Sequence, residues 1–263
     1  MSNSTPPPSR AVAITGAASG IGAQTARLLI AQDVEVIALD RHAPDFAVAR
    51  FIQVDLADPA SIDAAATLLP DALAGLCNVA GVPGTAGADK VARVNYLGLR
   101  QLTEAALPKI ARSGSIVNVA STAGQNWQDR RALHVELAAT RNFDDGLNWL
   151  AQHPVSDPGA YAYFKEALIV WTMTRAAALR SAAGIRINCI SPGPTDTPIL
   201  KDFRVTLGAA NVDDAIRRAG GVGTPLAIAP AIVFLLQSES AWITGANLPV
   251  DGGLLASRIL DPV

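Results

Sequence analysis

The sequence has little of what several protein classes require. Only two cysteines, three histidines and 5% aromatic residues occur in 263 residues. Cys77 and Cys189 each lie in an apolar run, so we expect reduced core residues of a cytoplasmic protein and no disulfide. The histidines are scattered without the spacing of metal ligands, so we expect no metal site.

Charge and long apolar runs are scarce as well. Charged residues make up 17%, the net charge is −2, and no cluster of Lys and Arg occurs, which argues against nucleic-acid binding. No apolar run reaches the roughly 18 residues of a membrane-spanning helix. Residues 1–10 are rich in Ser and Pro, and we expect a flexible tail rather than a signal peptide. Because half of the residues are hydrophobic, we expect one large domain over residues 11–263.

A glycine-rich turn follows the first apolar run. Residues 11–15 predict a strand and residues 23–31 predict a helix. Strand, glycine turn and helix open a nucleotide-binding βαβ unit, where a diphosphate approaches backbone N–H groups and a Cβ would be in the way. Glycine turns also occur for purely structural reasons. The candidate cofactor contacts here are Gly16, Ser19, Gly20, Ile21 and Gly22.

Two predicted strands end in carboxylates. The strand at residues 34–39 ends at Asp40, which can accept hydrogen bonds from ribose hydroxyls and repel a 2′-phosphate. Asp40 therefore favours NAD over NADP, although Arg41 follows it and could meet a phosphate. After the strand at residues 51–54, Asp55 either accepts from the adenine amino group or begins the next turn.

The fourth and fifth predicted strands also end in residues suited to a site. Residues 73–79 include Asn78, and Gly81 beyond them would let the backbone approach the ribose. Ser121 follows the strand at residues 114–120. The carboxyl edge of an open α/β sheet is where ligands bind, so Ser121 can donate to a substrate oxygen; serine is also a common turn residue.

Two segments depart from the regular pattern. Asn95 interrupts a predicted helix at residues 92–110, which indicates a kink, a bound water or a function. Residues 125–158 separate the fifth strand from the next long helix and contain amphipathic stretches at 130–141 and 143–152. We expect a helical insertion that covers one side of the active site.

Tyr161 and Lys165 lie four residues apart in a predicted helix that continues to residue 183. Such residues share a helix face. A phenol has a pKa of about 10, and a nearby ammonium favours the phenolate and lowers that pKa. The pair is therefore a candidate general acid/base. The alternative is an exposed Tyr and Lys that share a face by chance.

Together these motifs resemble the short-chain dehydrogenase/reductase family of the classical type, over nearly the whole chain. Val79 stands where the family usually has Asn, and Ala120 where it often has Ser. The matching motifs are Thr15-Gly16-x-x-x-Gly20-x-Gly22, Asn78-Val-Ala-Gly81, Asn95, Ser121, Tyr161-x-x-x-Lys165, Pro192-Gly193 with Thr195 and Thr197, Trp242-Ile-Thr-Gly245 and Val250-Asp-Gly-Gly253.

The resemblance implies a single doubly wound Rossmann domain of the α/β class, with a seven-stranded parallel sheet. It implies that Tyr161 exchanges a proton with an alcohol or ketone, and that Lys165 lowers the pKa of Tyr161 and holds the nicotinamide ribose. Ser121 would bind the substrate oxygen, and Asn95 a water that links Lys165 to solvent. The further cofactor contacts implied are Leu56, Asn78, Ala80, Gly81, Pro192, Gly193, Thr195 and Thr197.

The interval of 40 residues between Ser121 and Tyr161 is long for this family. It is similar to the bacterial 3α-hydroxysteroid dehydrogenase/carbonyl reductase group. The insertion follows the helix that many relatives use for tetramer formation. We expect it to alter that interface, so the resemblance implies a homodimer as readily as a homotetramer.

The expected function is NAD-dependent interconversion of a secondary alcohol and a ketone, uncharged and largely apolar: a steroid, a cyclic alcohol or an aryl alcohol. Alternatives are a dinucleotide-binding sensor or scaffold without turnover, and an epimerase or dehydratase. Residues 194–223 should form a lid over the substrate. Trp127 and Trp149 line the pocket or pack in the core. The apolar lining candidates of the lid are Ile199, Leu200, Phe203 and Leu207.

Overall fold

Seven apolar runs of the chain form one parallel β-sheet in the computed structural model, which describes residues 11–260. The predicted tail at residues 1–10 lies outside the described residues. The strand order is β3-β2-β1-β4-β5-β6-β7, and every neighbouring pair is parallel. The strands are β1 (Ala11–Thr15), β2 (Glu35–Asp40), β3 (Arg50–Gln53), β4 (Leu73–Asn78), β5 (Ile110–Val119), β6 (Arg186–Pro192) and β7 (Asn247–Val250).

Helices cover both faces of the sheet, as a doubly wound α/β fold requires. Alternate strand residues belong to separate hydrophobic clusters: Ala13 packs in one and Ile14 in the other, because successive side chains of a strand point to opposite faces. The helices are α1 (Gly20–Ile30), α2 (Pro59–Thr67), α3 (Ala88–Ala92), α4 (Leu99–Ala106), α5 (Arg131–Ala139), α6 (Phe143–Gln152), α7 (Asp157–Ala183), α8 (Leu200–Thr206), α9 (Ala209–Arg218), α10 (Pro225–Leu236) and α11 (Leu254–Leu260).

The strand order creates the crevice in which a site can form. From β1 the chain builds outward through β2 and β3, and then returns to place β4 on the other side of β1. The connections after β1 and β4 therefore leave in opposite directions. A crevice opens at this switch point, at the carboxyl ends of the two strands.

The predicted helix at residues 92–110 is interrupted, as the position of Asn95 indicated. A π-helical turn, Arg93–Gly98, separates α3 from α4. A Cβ at Gly98 would lie 2.0 Å from the Leu56 carbonyl oxygen, so the turn packs directly on the backbone that follows β3. Turns of this kind widen a helix and are frequent at functional sites.

The predicted insertion is helical, and α6 has the bounds expected for its second stretch. Its helix α5 packs along α7. Arg100 on α4 is buried and donates to the carbonyl oxygens of Leu137 and Thr140 at the end of α5. The insertion is thus anchored to two helices of the main fold.

Both thiols are fully buried in the sheet and unpaired with each other. Burial raises the pKa of Cys77, and burial raises the pKa of Cys189 to about 12. They are reduced core residues, as predicted. Among residues 11–260 no helix has both the length and the apolar character needed to span a bilayer.

Candidate active site

A cavity of about 250 Å³ opens at the switch point between β1 and β4. It brings together residues that are far apart in sequence but follow the carboxyl ends of neighbouring strands. The predicted site residues that line it are Gly16, Ser19, Gly20, Ile21, Gly22, Asp40, Asp55, Leu56, Ala80, Gly81, Ser121, Tyr161, Lys165, Pro192, Gly193, Thr195 and Thr197.

The glycine turn fits a dinucleotide diphosphate. Gly16 has φ +69°, and a Cβ there would lie 2.9 Å from the Ala80 backbone; a Cβ at Gly22 would lie 2.1 Å from the Gly16 carbonyl oxygen. The turn can therefore close tightly only without side chains at these positions. Ser19 caps α1 with no side-chain hydrogen bond to the helix. The N-terminus of α1 faces the cavity with N–H groups and a hydroxyl suited to an anion.

Asp40 is held at the end of β2 by the backbone around it. Its carboxylate accepts hydrogen bonds from the N–H of Ala18, at 3.0 Å, and of His42, at 3.3 Å. The first bond ties Asp40 to the glycine turn, so the carboxylate is held beside that turn. Arg41 and Lys90 also lie on the cavity wall, so both signs of charge are present at this end.

Two other predicted contacts, Asp55 and Thr195, make local hydrogen bonds, and a third, Thr197, packs against the glycine turn. Asp55 accepts from the N–H of Ala57 at 2.9 Å, which is the turn-forming alternative, and it also faces the cavity. The Thr195 hydroxyl donates to the Gly193 carbonyl at 2.9 Å. A Cβ at Gly20 would lie 3.4 Å from the Thr197 methyl, so the start of the predicted lid lies next to the glycine turn.

Tyr161 and Ser121 meet at the inner end of the cavity. Tyr161 is 5% exposed, and its ring lies 4.8 Å from that of Phe203. Burial raises the pKa of Tyr161 to about 12, and a hydrogen bond with Ser121 opposes that rise. At neutral pH the phenol is therefore protonated and hydrogen-bonded to a second hydroxyl, an arrangement that can exchange a proton with a bound oxygen.

That Lys165 lowers the pKa of Tyr161 stays a prediction, and the two causes that shift this pKa here are burial and Ser121. The Lys165 ammonium lies 5.7 Å from the centre of the phenol ring and donates to the Val119 carbonyl at 2.7 Å. Burial also lowers the pKa of Lys165 to about 8. The positive charge is thus directed at a carbonyl and is itself disfavoured by burial, while Ser121 supplies the interaction that favours the phenolate.

Two predicted site residues support the cavity without lining it. Asn78 is fully buried and donates to Asn118 at 2.8 Å and Thr103 at 2.9 Å. Asn95 exchanges two hydrogen bonds with the backbone of Val82, at 2.8 and 2.9 Å. The Asn78 side chain therefore binds within the core rather than lining the cavity, and both polar atoms of Asn95 have a backbone partner.

Sequence reasoning missed several apolar wall residues and one cation. Leu39 and Val54 each precede a carboxylate that was predicted, so the strand-end pattern could have indicated them. Lys90 and Val94 lie on α3 and the π-helical turn. No local motif marks these two, because the folding of the chain after β4 brings them to the crevice.

A second cavity of about 360 Å³ joins the first at Ser121, Tyr161, Gly193 and Phe203. The lid candidates Leu200 and Leu207 line it as predicted, and Ile199 lines the first cavity. Among the described residues of the insertion only Asn126 takes part; Trp127 packs against the core and Trp149 stacks on His153 at 4.0 Å. The other lining residues are Thr122, Ala123, Ala162, Pro194, Asn211, Val212, Ala215, Leu254 and Arg258. We expected the insertion helices to cover one side of the active site. Instead, α5 packs on α7.

Two family models match the chain. One, described as short chain dehydrogenase, matches residues 10–133; the other, described as enoyl-(acyl carrier protein) reductase, matches residues 149–255. The boundary falls within the helical insertion, so both halves of the Rossmann domain are recognised.

Individual proteins match over almost their whole length. A coniferyl-alcohol dehydrogenase of Pseudomonas sp. (strain HR199) is 46% identical over 248 residues, covering 94% of this chain and 97% of that protein. The 3-alpha-hydroxysteroid dehydrogenase/carbonyl reductase of Comamonas testosteroni is 29% identical, covering 92% and 95%. A solved 3-alpha-hydroxysteroid dehydrogenase from Pseudomonas sp. B-0831, complexed with NADH, superposes with a TM-score of 0.78 at 26% identity, covering 95% and 98%.

Proposed function

Because the chain belongs to the short-chain dehydrogenase/reductase family, we propose that it is an NAD-dependent alcohol dehydrogenase that acts on an uncharged aryl alcohol. The observation that carries this proposal is the meeting of the two cavities at Tyr161 and Ser121. A dinucleotide in the first cavity and an alcohol in the second would have their reactive ends at these two hydroxyls.

The residues at this meeting point bind the alcohol oxygen and transfer one proton to or from it. When bound, the nicotinamide supplies the acceptor or donor of hydride. Ser121 hydrogen-bonds the alcohol oxygen and the Tyr161 phenol. Tyr161, as phenolate, takes the hydroxyl proton during oxidation; as phenol, it returns the proton to the carbonyl oxygen during reduction. Lys165 would hold the nicotinamide ribose, and the walls formed by Phe203 and Val119 limit access of water.

The Tyr161→Phe variant tests this assignment. It should lower kcat for alcohol oxidation by about 10²-fold or more, because the proton acceptor is removed. Affinity for NADH, measured by fluorescence titration, should stay unchanged, because the ring is retained. The matched control is Tyr163→Phe on the same helix, whose ring packs against His134; it should keep full turnover. Parent-level turnover in Tyr161→Phe would refute the acid/base role.

We propose NAD rather than NADP because Asp40 is held by Ala18 beside the glycine turn, where the adenosine ribose would lie. A carboxylate there accepts from two ribose hydroxyls and repels a phosphate on either. The NADH complex of the 3-alpha-hydroxysteroid dehydrogenase supports the same choice. Arg41 and Lys90 on the wall are the features that favour NADP.

Exchange of Asp40 for Asn separates charge from shape. Asp40→Asn keeps an oxygen that can accept from Ala18, so the turn should stay in place. The ratio of kcat/KM for NAD to that for NADP should fall by about tenfold or more, because the repulsion of the 2′-phosphate is gone. Asp55→Asn is the control and should leave the ratio unchanged. If Asp40→Asn also leaves it unchanged, another residue selects the cofactor.

An aryl alcohol fits the second cavity because its walls are apolar and its rim is polar. Leu200, Phe203 and Leu207 form part of the walls, and Asn126 and Arg258 contribute to the rim. Among the described residues, no carboxylate pairs with Arg258 in a salt bridge. A flat ring with oxygen substituents distant from its alcohol would place the ring on the walls and the oxygens at the rim.

The relative named coniferyl-alcohol dehydrogenase supports this substrate class. Coniferyl alcohol is a primary alcohol on a side chain of an oxygenated aromatic ring. The proposal therefore differs from the secondary alcohol that the resemblance implied, and it selects the aryl member of the expected classes. A sensor without turnover is disfavoured by the presence of Ser121, Tyr161 and Lys165 around one cavity.

A panel of alcohols with NAD tests the substrate class. We expect coniferyl alcohol to have a higher kcat/KM than cinnamyl alcohol, which lacks the ring oxygens, and than a 3α-hydroxysteroid or cyclohexanol. Arg258→Met should remove most of the preference for coniferyl over cinnamyl alcohol, about tenfold for one charged hydrogen bond, without changing cinnamyl alcohol oxidation. Preference for the steroid, or an equal effect of Arg258→Met on both aryl alcohols, would contradict the proposal.

A further inference from the structure

A buried carboxylate follows Lys165 on α7. The Glu166 side chain is 1% exposed. Arg130 donates to it from Nε at 2.9 Å and from Nη2 at 2.5 Å, one bond to each oxygen, and His134 Nε2 lies 2.8 Å from Oε2. We call Glu166, Arg130 and His134 the Glu166 cluster. None of the three lines either cavity described above, so the cluster is separate from the substrate and cofactor contacts.

The cluster holds a charge in the core. Burial acts to raise the pKa of Glu166, but hydrogen bonds from His134 and Arg130 and the charge of Arg130 outweigh it, so the pKa is lowered and the group is ionised. Arg130 reaches this carboxylate from the surface, with 44% of its side chain exposed, and ion pairs that are partly exposed contribute little to stability. What the pair adds is geometry, because the planar guanidinium fixes both carboxylate oxygens at once.

The orientation of the His134 ring is fixed as well. Its ring is fully buried and lies edge-on to Tyr163, with ring centres 4.6 Å apart. Its Nδ1 has no hydrogen-bond partner in the described part of the chain. The ring is therefore oriented by Glu166 and by packing, at the cost of one unsatisfied buried nitrogen.

Arg130 and His134 belong to the segment that begins at Ser121. Ser121 caps the turn Thr122–Gly124. Gly124 lies against α7, since a Cβ there would be 2.8 Å from the Lys165 carbonyl carbon. The chain then continues through Arg130 into α5. Between Ser121 and His134 the segment thus contacts α7 at two places, and both lie one turn or less from Lys165.

We propose that the Glu166 cluster is a positioning device that holds Ser121 in place relative to Tyr161 and Lys165. This inference rests on the proposed function. The catalytic hydroxyls come from different parts of the chain, and the segment that carries Ser121 is clamped to the helix that carries Tyr161. Loss of the clamp lets Ser121 move away from the phenol, and small misplacements of this kind reduce turnover more than binding.

The test compares Arg130→Met, which removes the ion pair, with Arg130→Lys. The lysine keeps the positive charge but lacks the planar guanidinium that binds both carboxylate oxygens. Arg130→Met should lower kcat by about tenfold or more and leave NADH affinity unchanged; Arg130→Lys should restore part of the loss. Because Ser121 lowers the pKa of Tyr161, the pH at which kcat/KM for alcohol oxidation rises should shift upward in Arg130→Met. The groups facing Tyr161 are Ser121, Phe203 and Lys165.

The control is a second ion pair on the same helix. Arg175 on α7 lies 2.8 Å from Glu104 on α4, far along the helix from Tyr161. Arg175→Met should leave kcat and the pH profile unchanged. Equal losses of kcat in Arg175→Met and Arg130→Met, or parental kcat and pH profile in both Arg130 variants, would overturn the proposal. If Arg130→Met does not fold, Arg130→Lys decides by the same criteria.

Hydrogen exchange provides a readout without turnover. The amides of residues 121–124 should exchange faster in Arg130→Lys than in the parent, and at the parental rate in Arg175→Met. Unchanged exchange in Arg130→Lys would count against the clamp. A parent protein that oxidises no alcohol with NAD would instead refute the proposed function, and the exchange data would still decide the structural role of the Glu166 cluster.

Discussion

The contact on which the site depends is the approach of the Ser121 hydroxyl to the Tyr161 phenol, which lowers the pKa of that phenol against the effect of burial. It joins the end of β5 to the first turns of α7, across a helical insertion. Burial disfavours the phenolate, so little of the basic form of a buried tyrosine is present at neutral pH. The hydroxyl of Ser121 is the interaction that offsets this burial, so the chemistry of the site is determined by how firmly the two elements are held together.

The core below the site is built to hold them. A line of buried polar side chains crosses the sheet: Asn78 on β4 donates to Asn118 on β5, and Asn118 donates to Thr172 on α7. The Thr172 hydroxyl lies 3.1 Å from Cys189 Sγ on β6. Such a network stabilises one register among strands and helix, because each member would otherwise be an unsatisfied buried group. The same network explains why Asn78, expected at the cofactor, lies beneath it.

Much of this arrangement could be predicted from the order of residue types. The glycine turn, the carboxylate Asp40 and the pair Tyr161 and Lys165 are local patterns, and each is next to a strand or helix that its own sequence predicts. The resemblance then supplied the seven-stranded parallel sheet of a doubly wound Rossmann domain. Local pattern could not show that Lys165 donates to Val119, because that contact depends on how deeply α7 packs on β5.

The packing of the insertion shows more clearly what local sequence patterns cannot predict. Its amphipathic stretches predicted two helices, but amphipathicity does not state which surface the apolar face will cover. The deciding groups are Arg100, Arg130 and Glu166, which are charged residues that sequence reasoning expects at the surface. Arg100 and Glu166 are buried, and Arg130 reaches Glu166 from the surface. Arg100 donates to carbonyl oxygens at the end of α5 and Arg130 pairs with Glu166 on α7, so these contacts direct the insertion to α4 and α7 instead of to the mouth of the site.

The most direct test of the account is a crystal structure of the protein with NADH and a non-reactive aryl alcohol analogue. We expect the analogue's oxygen to lie about 3 Å from both the Tyr161 and Ser121 hydroxyls, as proton exchange requires, with the reactive carbon of the nicotinamide beside it. An analogue bound elsewhere, or an oxygen in contact with neither hydroxyl while both cavities are filled, would contradict the account.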